Sequence, residues 1–335
     1  MRLVQLYHGS RGRSVAVVDE PCLVLLNTPT SIHELTLAAV RSGTSLHAVV
    51  ADSRSSETLD YDAVYAGGSD WTLLPAFDHP NDPAHCMVTG TGLTHQASAE
   101  NREKMHQAQS AGALTDSMRM YQWGVEGGRP AAGAIGVQPE WFYKGTGAVL
   151  KAHGQAIDRP AFADDGGEEP EVAAAYVCDD HGMPWRIGFA AANEFSDHVM
   201  EKKNYLYLAH SKLRQCAIGP ELAVDEDFKC LIGTVTITRE GRELWTHAVQ
   251  SGEQHMAHNL ANLEYHHFKY QEHRVPGQAH VHFLGAAAFS FGAGVALADG
   301  DVMEVAWNGL GRPLRNTLQI LAGPDSFRTV ATFPR

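Results

Sequence analysis

Residues 167–177 read Gly-Glu-Glu-Pro-Glu-Val-Ala-Ala-Ala-Tyr-Val. From residue 172 to residue 177 the run is apolar at odd and even positions alike. Successive side chains of a strand point to opposite faces, so a strand that is apolar on both belongs in the interior of a sheet with both faces covered. Ahead of it stand Glu168, Glu169 and Glu171. Glu169 and Glu171 are two residues apart, which in a strand aims both carboxylates to one side, about 6.5 Å from each other along the chain. Carboxylates at the mouth of a buried strand are costly without a counter-charge. A hard cation such as Mg²⁺ or Mn²⁺ answers that cost, because it takes oxygen ligands and keeps waters that a substrate can displace. The competing reading is a solvated acidic loop that caps an ordinary strand.

The rest of the chain is built of many short strands with helices between them. "RLVQLYHG", "SVAVVD" and "CLVLL" read as strands, and "SIHELTLAAVRSG" as a helix capped by Ser31 and Gly43. These form a small N-terminal module, residues 1–75, closed by the Pro- and Asp-rich "PAFDHPNDP". In the body, residues 76–335, a polar helix follows "GLTHQ", and "LIGTVTITREGRELWTHAV" reads as a hairpin turning at Glu240-Gly241. "HMAHNLANLEYHHFKYQEH" reads as a helix, and "GDVMEVAWNGLGRPLRNTL" as a closing strand pair. The pattern predicts a strand-rich α+β fold rather than a doubly wound sheet.

Composition narrows the function classes. The chain has 335 residues, 44% of them hydrophobic, enough for a substantial core, and a net charge of −13. A chain this acidic repels phosphate backbones, which argues against nucleic acid as a partner. Five well-separated cysteines without a C-x-x-C pair indicate reduced thiols rather than a disulfide framework or a zinc ribbon. No basic head precedes an apolar block, and the Gly/Ala-rich stretch 283–298 is too weakly apolar to span a bilayer. The expectation is a soluble, cytoplasmic protein with no membrane partner. A nucleophilic serine motif and a P-loop are both missing from the sequence. His255 and His258, spaced i, i+3, are a candidate zinc pair without an identifiable third ligand; the alternative is a helix bearing surface and interface histidines.

A second acidic stretch changes the weighting. "GFAAANEFSDH" is strand and then polar turn, with Glu194 at the strand's end. This order of segments resembles the fumarylacetoacetate hydrolase superfamily, in which a Glu-x-Glu opening a strand is followed about twenty residues later by a strand ending in Asn-Asp. The resemblance runs over roughly residues 80 to 320. It implies a mixed β-sandwich/β-roll with a small N-terminal domain, a homodimer, and Mg²⁺ (Mn²⁺ as the alternative) held by Glu169, Glu171 and Glu194, the last being Glu where the family has Asp. "GLTHQASAENR" resembles the family's catalytic-histidine segment and gives His95. "EWFYKGTGAV" gives Lys144, and "SKLRQCAIGPEL" gives the active-site Lys212 followed by Gly219-Pro220. "GDVMEVAWNGLGRPLRNT" resembles the closing signature.

Two departures bear on the reaction. Hydrolytic members carry Glu three residues after the histidine, where this chain has Ser98; Glu100 lies two further on. The family's late Gly-Thr is Gly285-Ala286 here, with Ser290 the nearest hydroxyl. Without a positioned base for water, elimination is easier to run than hydrolysis. The sequence is most similar to the sugar-acid branch, which implies a dehydratase of a 2-keto-3-deoxy sugar acid, a pentonate. The roles that follow are Lys212 as base at C3, His95 as acid to the leaving hydroxyl with Ser98 beside it, and Lys144, Thr146 and Ser290 as substrate-binding groups. The alternatives are a metal-dependent C–C hydrolase of an acylpyruvate or a 2,4-diketo-3-deoxy sugar acid, and a non-catalytic sugar-acid-binding homologue.

Overall fold

The structure, a computed structural model, describes residues 1–100, 115–323 and 328–333. The strand Pro170–Cys178 is buried at every position. It pairs antiparallel on both sides, with Pro184–Asn193 and with Ala279–Phe283. Its alternation sorts the core. Val172, Ala174 and Tyr176 pack in a cluster with Val235, Ile237, Met303 and Val305, while Ala173, Ala175 and Val177 pack with Ile32, Leu35 and Val88. One face therefore meets a second sheet and the other meets helix Ile32–Ser42. That double cover is what the two-sided apolar run demands.

The large sheet has 13 strands, and its interior order runs Arg2–His8, Leu222–Ala223, Pro184–Asn193, Pro170–Cys178, Ala279–Phe283, Cys86–Gly90, Phe142–Thr146. The second sheet has five strands, ordered Arg242–Ser251, Leu231–Arg239, Val302–Trp307, Leu314–Ile320, Ile157–Arg159. The predicted hairpin is present in it. Glu240 and Gly241 take φ of +51° and +76°, the primed geometry that matches the twist of a two-residue turn. The indole N–H of Trp307 donates to the Glu171 carbonyl at 2.9 Å and ties the second sheet to the acid end of the central strand.

Helix Ile32–Ser42 begins and ends as expected: the Ser31 side chain accepts from the Glu34 N–H, and Gly43 is left-handed at φ +66°. Residues 1–75 have a cluster of their own, including Leu6, Leu23, Tyr61, Trp71 and Leu73. They also extend the body's sheet through Arg2–Ala223 and Leu3–Leu222. Buried Glu221 accepts from Arg2 Nη1 (2.8 Å), Tyr61 Oη (2.8 Å) and the Arg312 N–H (2.9 Å), which joins the two parts. The Pro/Asp-rich connection is packed rather than loose, with Ala76 and Phe77 fully buried.

The polar helix expected after His95 occupies residues 96–100 and beyond that lies outside the described residues. The helix expected over the whole His-rich segment is shorter. It runs Leu260–Phe268, because the Asn259 side chain caps it by accepting from the Asn262 N–H, and 3₁₀ turns at Glu253–His255 and Gln271–His273 take up the flanks. No helix among the described residues is long and apolar enough to cross a membrane.

Candidate metal and acid–base site

The central strand carries Glu169 and Glu171 at its open end, and the neighbouring strand delivers Glu194. Backbone pairing holds the two ends together: the Glu194 N–H donates to Glu169 O at 2.9 Å, and the Glu169 N–H to Asn193 Oδ1 at 3.2 Å. Glu169, Glu171 and Glu194 are 7, 1 and 0% exposed, and each offers a carboxylate oxygen within 4.8 Å of the others. An all-carboxylate, buried oxygen set of this kind fits a hard divalent cation.

Two lysines reach into the same space. Lys212 Nζ donates to Glu169 Oε1 at 2.7 Å, to Glu194 Oε2 at 2.6 Å and to Ser196 Oγ at 3.1 Å. Lys144 Nζ donates to Glu194 Oε1, to the Glu194 carbonyl at 3.2 Å and to the Phe195 carbonyl at 2.8 Å. His198 Nε2 meets Glu169 Oε1 at 3.1 Å, and the Gly285 N–H donates to Glu171 Oε2 at 2.7 Å. Gly285 is required there. Its φ is +101°, and a Cβ would come within 1.9 Å of Thr94 Oγ1.

The environment separates the three acids. Burial pushes Glu169 up, but the Lys212 ammonium and the His198 contact outweigh it and hold the carboxyl well below the usual carboxylate range. Glu171 is pushed well above that range by burial and by the charges of Glu194 and Glu169. Burial raises Glu194 to about 7 although both lysines pull it down. Glu169 is thus the acid held ionised, while burial and mutual repulsion work against ionising the other two.

His95 is 3% exposed. Thr94 Oγ1 donates to the Leu284 carbonyl at 3.0 Å, and this fixes its other contact, the 2.9 Å one with His95 Nδ1. The hydroxyl proton is committed to the carbonyl, so Oγ1 accepts, and Nδ1 carries the imidazole proton. His95 Nε2 therefore holds the lone pair. It is buried and, among the described residues, meets no hydrogen-bond partner. Burial, with His255 nearby, lowers His95 to about 3, so the ring is neutral at physiological pH.

No family model matches the chain. Over 179 residues it is 28% identical to the 2-dehydro-3-deoxy-D-arabinonate dehydratase of Saccharolobus solfataricus, a match covering 52% of this chain and 53% of that protein, about half the length of the curated relative. A solved structure of 2-keto-3-deoxyarabinonate dehydratase in a hexagonal crystal form aligns with a TM-score of 0.71 at 21% identity, covering 96% of this chain and 100% of that one. A 2-keto-3-deoxy-D-arabinonate dehydratase complexed with magnesium and 2,5-dioxopentanoate gives a TM-score of 0.70 at 20% identity with the same coverage. The fold is the fumarylacetoacetate hydrolase type. The strand-rich α+β class expected from the sequence is the one observed, and the likeness is to the sugar-acid branch.

Within this fumarylacetoacetate hydrolase-type fold, the expected residues separate into those drawn to the acids and those engaged elsewhere. Glu169, Glu171, Glu194, Lys212 and Lys144 converge. Lys144 points its ammonium at Glu194 and two carbonyls. Ser98 is buried three residues beyond His95. Thr146 caps the turn Gly147–Val149, accepting from the Ala148 N–H. Ser290 donates its hydroxyl (2.8 Å) and its N–H (2.6 Å) to the carboxylate of Glu168, which is 0% exposed. Sequence reasoning missed His198, Ser196 and the Gly285 N–H. His198 and Ser196 sit in the quoted "NEFSDH" stretch, close behind Glu194, which is the one signal that could have found them.

The His-rich segment belongs largely to the core. His255 Nε2 meets Cys230 Sγ at 3.3 Å, whereas His258 Nδ1 meets Asn262, so the candidate zinc pair is not assembled. Deeper in, Trp141 Nε1–H donates to His267 Nδ1 (3.2 Å), His267 Nε2 meets His280 Nδ1 (3.0 Å), and His280 Nε2 meets Cys178 Sγ (4.0 Å). An indole only donates, so each imidazole in this row is a neutral Nε2–H tautomer. His282 lies between Thr89 and Thr91, 2.7 Å from each. Burial holds His267 well below its ordinary value and lowers His280 and His282 to about 3. The unfolded chain binds these protons near pH 6.5 and the folded chain does not. Their contribution is therefore present above pH 6.5 and lost as pH falls below it, by about 1.4 kcal/mol per histidine per pH unit. Chemical denaturation between pH 6.5 and 5 is expected to show that loss. His280→Gln, which keeps a neutral donor and acceptor, should make the slope shallower by one histidine's share, about 1.4 kcal/mol per pH unit; an unchanged slope would rule out this source.

Proposed function

We propose that this protein is a divalent-metal-dependent dehydratase, a lyase, acting on a 2-keto-3-deoxy sugar acid, with a 2-keto-3-deoxypentonate as substrate. The observation that carries the reading is the buried meeting of Glu169, Glu171 and Glu194, two of which accept from Lys212 Nζ. The named relatives, which dehydrate a sugar acid of this class, support it. Glu169, Glu171 and Glu194 would hold the cation, Mg²⁺ with Mn²⁺ as the alternative. When bound, it supplies positive charge that acidifies the carbon beside a 2-keto group and offsets the charge of the enolate.

On the donor pattern we assign the two roles the other way round from the sequence reading. Lys212 donates to two carboxylates and a hydroxyl, so it suits a proton donor. His95 presents a buried lone pair at Nε2 and suits a proton acceptor. In this reading His95 takes a proton from C3, and the C4 hydroxyl leaves as water with the proton of Lys212; the 5-hydroxy-2-oxopent-3-enoate so formed becomes 2,5-dioxopentanoate by tautomerisation, the C5 and hydroxyl protons moving to C3 and C4. Ser98, three residues beyond His95, assists at the same turn, while Lys144 supports Glu194. Beside the His95 turn lies a cavity of about 280 Å³ lined by Ala97, Glu100, Trp245, His247, Ala288 and Phe289. Ser98, standing where hydrolytic members have Glu, favours elimination over C–C hydrolysis. We also propose residues 1–75 as a small N-terminal domain and 76–335 as the catalytic domain, the two sharing one sheet, and a cytoplasmic homodimer on the resemblance alone.

Proton NMR of the protein with Mg²⁺ and racemic 2-keto-3-deoxypentonate tests the reading. Loss of the C3 protons with growth of 2,5-dioxopentanoate is the expected result. Exchange at C3 without product would mean that the true substrate carries another leaving group, and no reaction at all would reject the lyase.

A further inference from the structure

The segment from residue 285 to residue 291 touches the acid site at three places, and they form one mechanical unit. At its start the Gly285 N–H holds Glu171 Oε2. In its middle Ser290 is fastened to the buried Glu168 carboxylate through both its N–H and its hydroxyl. Glu168 precedes Glu169 and has the opposite strand parity, so the chain that aims Glu169 at the cation site aims Glu168 at this loop. On either side of Ser290, the rings of Phe289 and Phe291 lie on the His198 imidazole, with centroids at 4.8 and 5.1 Å and planes at 13° and 31°.

His198 is 2% exposed. Glu169 is an acceptor, so Nε2 carries the proton in their 3.1 Å contact. Nδ1 is buried and, among the described residues, meets no partner; Gly167 passes so close that a Cβ there would lie 2.6 Å from it. A buried nitrogen left unmet costs about 1–3 kcal/mol. The ring is nevertheless clamped by two phenylalanines in the orientation that serves Glu169. Glu169 Oε1 thus receives both His198 and Lys212, which fixes the rotation of the carboxylate.

We propose that His198 is a positioning residue: clamped by Phe289 and Phe291 and anchored through Ser290 and Glu168, it sets the oxygen that Glu169 presents to a divalent cation. The inference rests on the reading of Glu169, Glu171 and Glu194 as the cation site. An outer partner of this kind contributes roughly 10- to 100-fold to metal affinity, because a ligand already held in orientation loses less freedom on binding.

Calorimetric titration of the full chain with Mn²⁺ tests it without reference to turnover. His198→Phe keeps a ring between the two phenylalanines and removes the donor; its Mn²⁺ affinity should fall roughly 10- to 100-fold. His198→Gln places an N–H near the position of Nε2 and should recover most of that loss. A merely structural role would give the reverse order, because Phe preserves the stack better than Gln does. Wild-type affinity in a folded His198→Phe variant overturns the inference. Absence of Mn²⁺ binding by the wild type would instead overturn the metal reading. Should His198→Phe not fold, Phe289→Leu removes one side of the clamp and leaves every hydrogen-bonding group in place. It is expected to weaken Mn²⁺ binding roughly 3- to 10-fold, and unchanged binding overturns the inference equally.

Discussion

Glu171→Gln is expected to remove divalent-cation stabilisation, to reduce turnover on the order of a thousandfold or more, and at the same time to make the metal-free protein more stable. The two effects have one origin. Glu171 is 1% exposed and is forced well above the usual carboxylate range by burial and by the neighbouring Glu194 and Glu169. In the metal-free protein its charge is a liability. Gln keeps an oxygen for the Gly285 N–H and removes the charge. A residue that merely braced the strand would lose stability on replacement, so a gain in metal-free melting temperature together with loss of the Mg²⁺ response identifies a ligand. If the variant still melts higher with Mg²⁺, as the wild type is expected to, Glu171 is not one.

The same electrostatics set a pH window. Glu194 is raised to about 7 from an unfolded value near 4.5, and Glu171 lies well above its own. A carboxyl whose folded value is raised contributes fully at low pH, and that contribution is lost as pH climbs through the folded value. The Glu194 contribution is lost from pH 4.5 to about 7 and that of Glu171 over a range reaching higher, so metal-free protein should lose stability above pH 6.5, where the histidines no longer oppose the loss. Mg²⁺ removes the cost by supplying charge, so its stabilising effect, about 2.7 kcal/mol at a hundredfold excess over Kd, should grow across the same window. Below pH 6.5 the neutral His267, His280 and His282 act in the opposite direction, which places the stability maximum of the metal-free protein near the crossover. Melting curves with EDTA and with Mg²⁺ at pH 6.5 and 8 check this; equal Mg²⁺ shifts at both would reject it.

How much of this could be read from the chain depends on how local each cause is. The central strand was legible because two-sided burial is written in six consecutive residues, and its acids because alternation aims i and i+2 together. Helix Ile32–Ser42 and the Glu240-Gly241 hairpin were legible from caps and turn chemistry for the same reason. The clamp around His198 was not, because Glu168 meets Ser290 across 122 positions and Glu171 meets Gly285 across 114. The tautomer of His95 is set by the Leu284 carbonyl, 190 positions from Thr94. The His-rich segment misled because helical spacing tells which residues share a face, not whether that face is wet. Here strand Ala279–Phe283 and Trp141 bury it. The unit boundary at residue 75 shows the same limit, since composition marks the connection but not the pairing of Arg2–His8 with Leu222–Ala223.

Lys212→Met and His95→Asn are expected to separate the two halves of the reaction. With the 2-keto-3-deoxypentonate in deuterated water, His95→Asn should lose enzyme-dependent exchange at C3 and all product, because it removes the lone pair that accepts the C3 proton. Lys212→Met should keep the exchange and lose the product, because enolisation needs His95 while departure of the C4 hydroxyl needs a donor. Each defect should amount to about 10²- to 10⁴-fold. Lys212→Met carries a second consequence, for Glu169 and Glu194 lose the ammonium between them and metal-free stability should fall. Saturating Mg²⁺ offsets that loss, so the exchange is measured with Mg²⁺ present and folding verified by melting. Asn at position 95 has no nitrogen that can take a proton, yet it can still meet Thr94, so the turn is retained. Proton NMR reads exchange and product in one sample. The reverse pattern, exchange lost in Lys212→Met and kept in His95→Asn, would return the base to Lys212 and make His95 the donor to the leaving hydroxyl. The buried Nε2 of His95 would then have to be protonated before each turnover, and kcat would fall as pH rises from 5 to 7 instead of holding level.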